Sequence, residues 1–246
     1  MSKIPKKFFQ TWETKNISPD FQTLIDQWKI FNPEYEYCFY DKNDRENFIK
    51  DNFEERVYNA YCKIIPGAFK ADLWRYCVLY KYGGVYADID TLCLNRIDNI
   101  LTDDIDVMLL IDFNTNPYEG QHNLANGFIC CVPNNDIMLQ CIYNIVNKIE
   151  NQVIPPSRLD FSGPGVLGRE TNKFLGRRET DSFIGLEGKH DNIYFLKFEP
   201  ETEYIKDLNG NILLQNKNGN RLIQYLYFME CKNLENYKCW LSLNPI

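Results

Sequence analysis

The segment "GAFKADLWRYCVLYKYGGVYADID", Gly67 to Asp90, constrains this chain more than any other. Pro66 opens a helix that reads through Tyr82, kept apolar over much of its surface by Ala68, Ala71, Leu73, Trp74, Val78 and Leu79. Gly83 and Gly84 stop it, and Val85 to Ile89 reads as the next strand. At the end of that apolar run stand two carboxylates, Asp88 and Asp90. Like charges at close range repel, and carboxylates leaving water are costly unless paired or bound to a cation. The chain must therefore fold so as to relieve this pair.

The flanking pattern defines the surroundings. Ile4 to Trp12 reads as a first strand behind a basic cluster of Lys3, Lys6 and Lys7. Phe21, Leu24, Ile25 and Trp28 share one face of a helix over Asp20 to Phe31, and "YEYCFY" alternates as a second strand. Asp44 to Asp51 and Glu54 to Ile64 read as short helices. Val107 to Ile111 and Gly127 to Val132 are continuously apolar, as central strands are. Asp136 to Ile149 is an amphipathic helix, "SGPG" at Ser162 leads into another, and "LNGNILL" carries an Asn-Gly hairpin signal. Alternating strands and helices predict an α/β fold with a mostly parallel sheet and helices on both faces. A single domain over 1–246 is expected, with a core over about 1–175 and a C-terminal lobe over about 176–246.

Composition narrows the function. A formal net charge of −7 argues against nucleic acid or an anionic membrane as partner. No stretch is long and apolar enough for a membrane span, and the N-terminus lacks the apolar core of a signal peptide. Nine cysteines without a CxxC pair read as reduced, which places the chain in a cytoplasmic compartment. Only two histidines exist, His122 and His190, far apart in sequence, so a zinc site is not expected; His190 reads as a surface loop residue.

On a strand, residues i and i+2 face the same side, so Asp88 and Asp90 are expected to project together. At the carboxyl end of a parallel strand they would lie where open α/β sheets bind ligands. Two hard oxygen donors suit Mn2+ or Mg2+ and leave coordination positions for a diphosphate. A solvated strand end is the plainer reading of the pair. Asp72 and Arg75 share a helix face at i,i+3 shortly before it. They read either as an exposed salt bridge or as a group that holds sugar hydroxyls and a phosphate.

The order Ala-Asp, Arg-Tyr, Leu, Gly-Gly-x-Tyr-x-Asp-x-Asp over roughly residues 68 to 92 resembles the signature of the glycosyltransferase 32 family. That sugar-binding region is shared with the glucosylating domains of large clostridial toxins. "IPKKFFQTW" and the Gly-Pro of "SGPGVL" are also similar to family segments. The resemblance implies a GT-A, Rossmann-like nucleotide-binding fold and a UDP- or GDP-linked sugar donor. It implies Mn2+, a glycan, glycolipid or protein acceptor, and retention of anomeric configuration. By the same resemblance Trp12 stacks on the nucleotide base, Asp72 and Arg75 hold the donor sugar, and Tyr86 precedes the metal pair. Asp88 lies near ribose and metal, and Asp90 is the direct ligand. Trp12 and Tyr86 read equally as core aromatics, and Asn126 reads either as a donor-sugar or acceptor contact or as a turn residue. Relatives often carry a His-Tyr and a Trp near the C-terminus; here Asn236, Tyr237 and Trp240 stand there, and the asparagine is a poorer metal or phosphate partner.

Two other readings compete. "DIDT" is similar to the nucleophile motif of HAD-type phosphatases, which ends a first strand. A non-catalytic protein that binds nucleotide sugars or carbohydrate would carry the same motif without turnover.

Overall fold

The computed structural model describes residues 2–112, 121–155 and 157–216. The first strand, β1 (Lys7–Thr11), is followed by α1 (Pro19–Phe31), whose N-cap Ser18 accepts from the Phe21 N–H. Next come β2 (Glu36–Tyr40), α2 (Lys42–Asn52), α3 (Glu55–Lys63) and α4 (Gly67–Tyr82). Asp41 and Asp44 close a reciprocal capping box at the start of α2. Gly83 ends α4 at φ 61° and Gly84 follows at φ 102°, backbone that a side chain rarely tolerates.

β3 (Gly84–Ala87), β4 (Thr91–Cys93), β5 (Val107–Ile111) and β6 (Leu124–Cys131) follow. Then come α5 (Asp136–Glu150), α6 (Pro164–Phe174), β7 (Gly188–His190), β8 (Ile193–Glu199), β9 (Tyr204–Lys206) and β10 (Ile212–Asn216). The sheet runs β2-β1-β3-β6-β5-β8 and continues through β9-β10-β4, with β7 also paired to β8. In the central run every strand points the same way except β6, which is antiparallel to both neighbours. The expected mostly parallel α/β architecture is therefore present, and its far end is antiparallel. The Asn-Gly signal lies in the loop from β9 to β10, where Gly210 has φ 81° and Asp207 accepts from the Asn209 and Asn211 N–H groups.

Two buried clusters lie on opposite faces of the sheet. One is built from α3, α4, α5 and α6; the other contains Trp28 of α1 with Phe8, Val85 and Ala87. Adjacent Cys130 and Cys131 fall into different clusters, as strand alternation requires. His190 lies half-buried in β7, its ring edge-on to Phe195, so it belongs to a strand and not to a surface loop. No described helix is long and apolar enough to cross a membrane.

Candidate active site

β3 ends at Ala87, not at Ile89. The Thr91 N–H donates to the Asp88 carbonyl at 3.1 Å, so Asp88 to Thr91 form a turn between β3 and β4. Asp88 and Asp90 do not owe their placement to alternation along a strand. Ile89 between them is the anchor: it is 4% exposed and packs with Phe21 and Ile25 of α1. Burying that one apolar side chain fixes the turn and leaves a carboxylate on either side of it. The turn is held from below as well. Gln10 Nε2 donates to the Asp88 carbonyl at 3.2 Å and Trp28 Nε1 to the Thr91 carbonyl at 2.9 Å.

Helix α4 delivers the second part of the site. Asp72 and Arg75 are one turn apart with Nη2 to Oδ1 at 3.2 Å, and they are 8% and 6% exposed. The exposed salt bridge is thereby corrected to a buried network. Arg75 Nη1 donates to the Asn126 carbonyl at 2.6 Å and lies 3.3 Å from Asp88 Oδ1. Its guanidinium sits 4.5 Å from the Tyr86 ring centroid, and the Tyr86 hydroxyl donates to Asp88 Oδ1 at 2.6 Å. Tyr86, 1% exposed, thus serves the core and the carboxylate pair together.

The Asn126 carbonyl is free for Arg75 because β6 is irregular there. Leu109 and Leu110 of β5 pair with Ile129 and Ala125, so Asn126 to Phe128 face no partner on β5. The same irregularity brings the Asn126 side chain to α4. Its Nδ2 donates to Asp72 Oδ1 at 2.8 Å and to the Tyr76 hydroxyl at 3.3 Å. Ser162 donates to the other oxygen, Asp72 Oδ2, at 2.7 Å. Burial raises the Asp72 pKa, opposed by Arg75 and by the hydrogen bonds from Ser162 and Asn126. Gly127 lies under Asp88: a Cβ built there would stand 2.7 Å from Asp88 Oδ2.

Trp12 stands just past the end of β1, half-buried, its ring edge-on to Phe21 at 5.1 Å. It packs on the cluster that anchors Ile89, which puts it beside the carboxylate turn without making it a full core residue. Trp240 and Asn236 lie outside the described residues.

Among the described residues no group of three His, Cys, Asp or Glu side chains could enclose a metal ion. The pair itself suits one. Burial, and then the charge of Asp88, push the Asp90 carboxyl up to about 7, and no described cation pairs with it. Two hard carboxylates, of which only Asp88 meets a cation in Arg75, fit an octahedral divalent ion that keeps most of its remaining positions for water and phosphate.

Sequence reasoning brought together Asp72, Arg75, Tyr86, Asp88, Asp90 and Asn126. It gave no role to Ser162, Tyr76, Gln10 or Gly127. Tyr76, Ser162 and Gln10 stand in segments quoted for the family resemblance, Arg-Tyr, "SGPGVL" and "IPKKFFQTW", without a role of their own. The HAD-type motif ends a first strand, whereas Asp88 follows β3, the third strand in chain order.

Residues 18–106 match the family model of the glycosyltransferase sugar-binding region containing the DXD motif. Inositol phosphoceramide mannosyltransferase 2 of Schizosaccharomyces pombe is 35% identical over 99 residues, 40% of this chain and 28% of that protein. Mannosyl phosphorylinositol ceramide synthase CSH1 of Saccharomyces cerevisiae is 28% identical over 227 residues, 87% of this chain and 56% of that protein. The chain thus spans only part of these relatives' length. Among solved structures, the PaToxG glycosyltransferase superposes with a TM-score of 0.56 at 19% identity over 70% of each chain. The segment 18–106 therefore carries that family's DXD region, and the fold is of the GT-A kind.

Proposed function

We propose that this chain is a metal-dependent, retaining glycosyltransferase that moves a sugar from a UDP- or GDP-linked donor to a glycan, lipid or protein acceptor. One observation carries the reading: Arg75 joins the buried Asp72–Asn126 pair to the carboxylate turn, so a sugar subsite and a cation subsite share one arginine. Asp88 and Asp90 would hold Mn2+ or Mg2+, which would neutralise charge growing on the departing diphosphate. Trp12 offers a ring face to the base. Arg75 is held by Asp72, Asp88 and the Asn126 carbonyl, and its fixed charge needs no reorganisation as the leaving group develops.

Asp72 accepts from Asn126 on one oxygen and from Ser162 on the other. That makes it a positioned electrostatic partner for a sugar ring gaining positive charge, not an unengaged nucleophile. Retention then proceeds by front-face displacement. The acceptor oxygen bonds to the anomeric carbon, the bond to the diphosphate oxygen breaks, and the acceptor proton passes to that diphosphate. Buried unpaired thiols such as Cys77, Cys130 and Cys141 support a reducing, cytoplasmic setting. The names of the two relatives put mannose first among the donors to try.

The test is incubation with Mn2+ and a panel of UDP- and GDP-linked sugars, with release of nucleoside diphosphate as readout. Release from one donor, lost with EDTA, is the expected result. No release from any donor in the presence of acceptor glycans, lipids and proteins would overturn the reading. Tight donor binding without release would instead identify a non-catalytic binding protein.

A further inference from the structure

Two chain segments meet at Asp72. One enters β6 through Gln121 to Asn123 and presents Asn126; the other runs from Ser157 to Gly163 and presents Ser162. The same two segments meet a second time, away from Asp72. His122 Nε2 lies 3.3 Å from Asp160 Oδ1, and the residues are 5% and 6% exposed. His122 stands four residues before Asn126 and Asp160 two residues before Ser162, so the bond closes a ring: His122, Asn126, Asp72, Ser162, Asp160.

The surroundings are built for this contact. Arg169 Nε donates to Asp160 Oδ1 at 2.8 Å and the Ser157 hydroxyl to Oδ2 at 3.1 Å. Burial works against the Asp160 charge, yet the hydrogen bonds from His122 and Arg169 outweigh it and hold its carboxyl well below the usual range. An ionised Asp160 only accepts, so His122 Nε2 is the donor. Lys148 donates to the Asp160 and Phe161 carbonyls, just before Ser162. On α6, Gly168 admits the His122 carbonyl, since a Cβ there would stand 1.6 Å from it, and Gly165 admits Asp160 at 2.5 Å. A helix face without side chains thus presses both segments together.

We propose that His122 and Asp160 are positioning residues of the donor-sugar subsite, tying the segment that presents Asn126 to the segment that presents Ser162. The inference rests on the glycosyltransferase reading for its functional part. The bond sets where the two donors to Asp72 stand, and so where the Asp72 carboxylate points. It has no direct contact with Asp88 or Asp90 and meets the carboxylate turn only through Arg75, so its main effect falls on the sugar and not on the nucleotide.

The test compares His122→Leu, which removes the donor, with His122→Gln, which restores one, and Asp160→Asn. Affinities for nucleoside diphosphate and for the intact donor are measured with Mn2+, and amide hydrogen exchange is followed in the free protein. His122→Leu is expected to weaken intact donor about tenfold, the scale at which outer partners of site ligands act, and to leave nucleoside diphosphate unchanged. His122→Gln recovers most of the loss. In a Ser162→Ala background the His122→Leu effect should shrink, because part of it acts through the Ser162 contact. Exchange should quicken together in 121–126 and 157–163. Additive effects, equal losses for nucleoside diphosphate and donor, or quickening in one segment alone would overturn the proposal. If the unaltered protein binds no nucleotide sugar, the glycosyltransferase reading fails with the sugar-subsite role, while concerted exchange would uphold the link between the two segments.

Discussion

Asp72 and Asn126 are 54 residues apart in the chain and 2.8 Å apart in the fold. A buried carboxylate costs several kcal/mol unless its oxygens find donors, and here each oxygen has one. Asn126 can serve because β6 leaves its ladder at that residue, which also turns the Asn126 carbonyl to Arg75. One irregularity in a strand thus supplies both charges of the α4 pair with a partner.

Asp72→Asn keeps the shape but replaces one acceptor oxygen with an amide, which then faces Asn126 or Ser162 donor to donor. Intact-donor turnover should fall at least about tenfold, matching about 1.5–3 kcal/mol for a hydrogen bond to a charged group. Nucleoside diphosphate affinity should stay within about twofold, a difference of under about 0.5 kcal/mol. Arg75→Lys should lose turnover comparably, since an ammonium cannot span Asp72, Asp88 and the Asn126 carbonyl as the planar fork does. Unchanged turnover in both variants would remove the α4 pair from the site.

The second expectation is a pH dependence. Asp90 is raised from 3.8 to about 7, by burial first and by Asp88 second. A cation binds the carboxylate form, so below that pH it must displace a proton, and apparent Mn2+ affinity should fall about tenfold per pH unit. Titration calorimetry at about pH 6 and about pH 8 reads the difference. The sign for the metal-free protein follows from the raised folded pKa: the Asp90 contribution to stability is present below 3.8 and is lost as pH rises through about 7. Asp90→Asn should abolish both dependences and end turnover while the protein still folds. A Mn2+ affinity flat across this window would count against Asp90 as ligand.

Trp12→Ala separates stacking from packing. The ring is half-buried and meets Phe21 edge-on, so its removal should cost less stability than the about 3–5 kcal/mol of a core aromatic. Donor and nucleoside diphosphate affinity should both weaken by about 1–3 kcal/mol, as base–aromatic stacking does elsewhere. A large drop in Tm with unchanged nucleotide affinity would make Trp12 a core residue only.

The α/β order was legible because its signals are local: the Gly83-Gly84 stop, the Phe21-Ile25-Trp28 face and the apolar runs of β5 and β6. The i,i+3 spacing of Asp72 and Arg75 was legible for the same reason. Their burial was not, because it depends on α4 lying under β6 and the 157–163 segment, contacts far apart in sequence. Strand alternation misplaced Asp88 and Asp90 because it carries no information on where a strand stops. The ladder from β3 to β6 ends at Ala87, and the burial of Ile89 against α1 bends the chain into a turn. Ser162 and Gln10 lie in segments that resemble the family's, but only the fold gives their side chains the Asp72 carboxylate and the Asp88 carbonyl.

Gly127→Ala tests whether the carboxylate turn needs its floor. Gly127 has no positive φ, so alanine suits its backbone. The obstacle is local: the new methyl would stand 2.7 Å from Asp88 Oδ2 and 3.3 Å from its carboxyl carbon. The Asp88 side chain is 43% exposed, so it can swing away with little cost to folding. Swinging breaks its bond from Tyr86 and its approach to Arg75, and carries one of the two metal oxygens out of place. The expected outcome is a Tm within a few degrees of the unaltered protein, matching under about 1 kcal/mol. Mn2+ affinity should drop at least about tenfold, the scale for disturbed partners of a metal site. Calorimetric Mn2+ titration beside a thermal melt reads both. Unchanged Mn2+ affinity would mean that the present position of Asp88 is not what holds the cation.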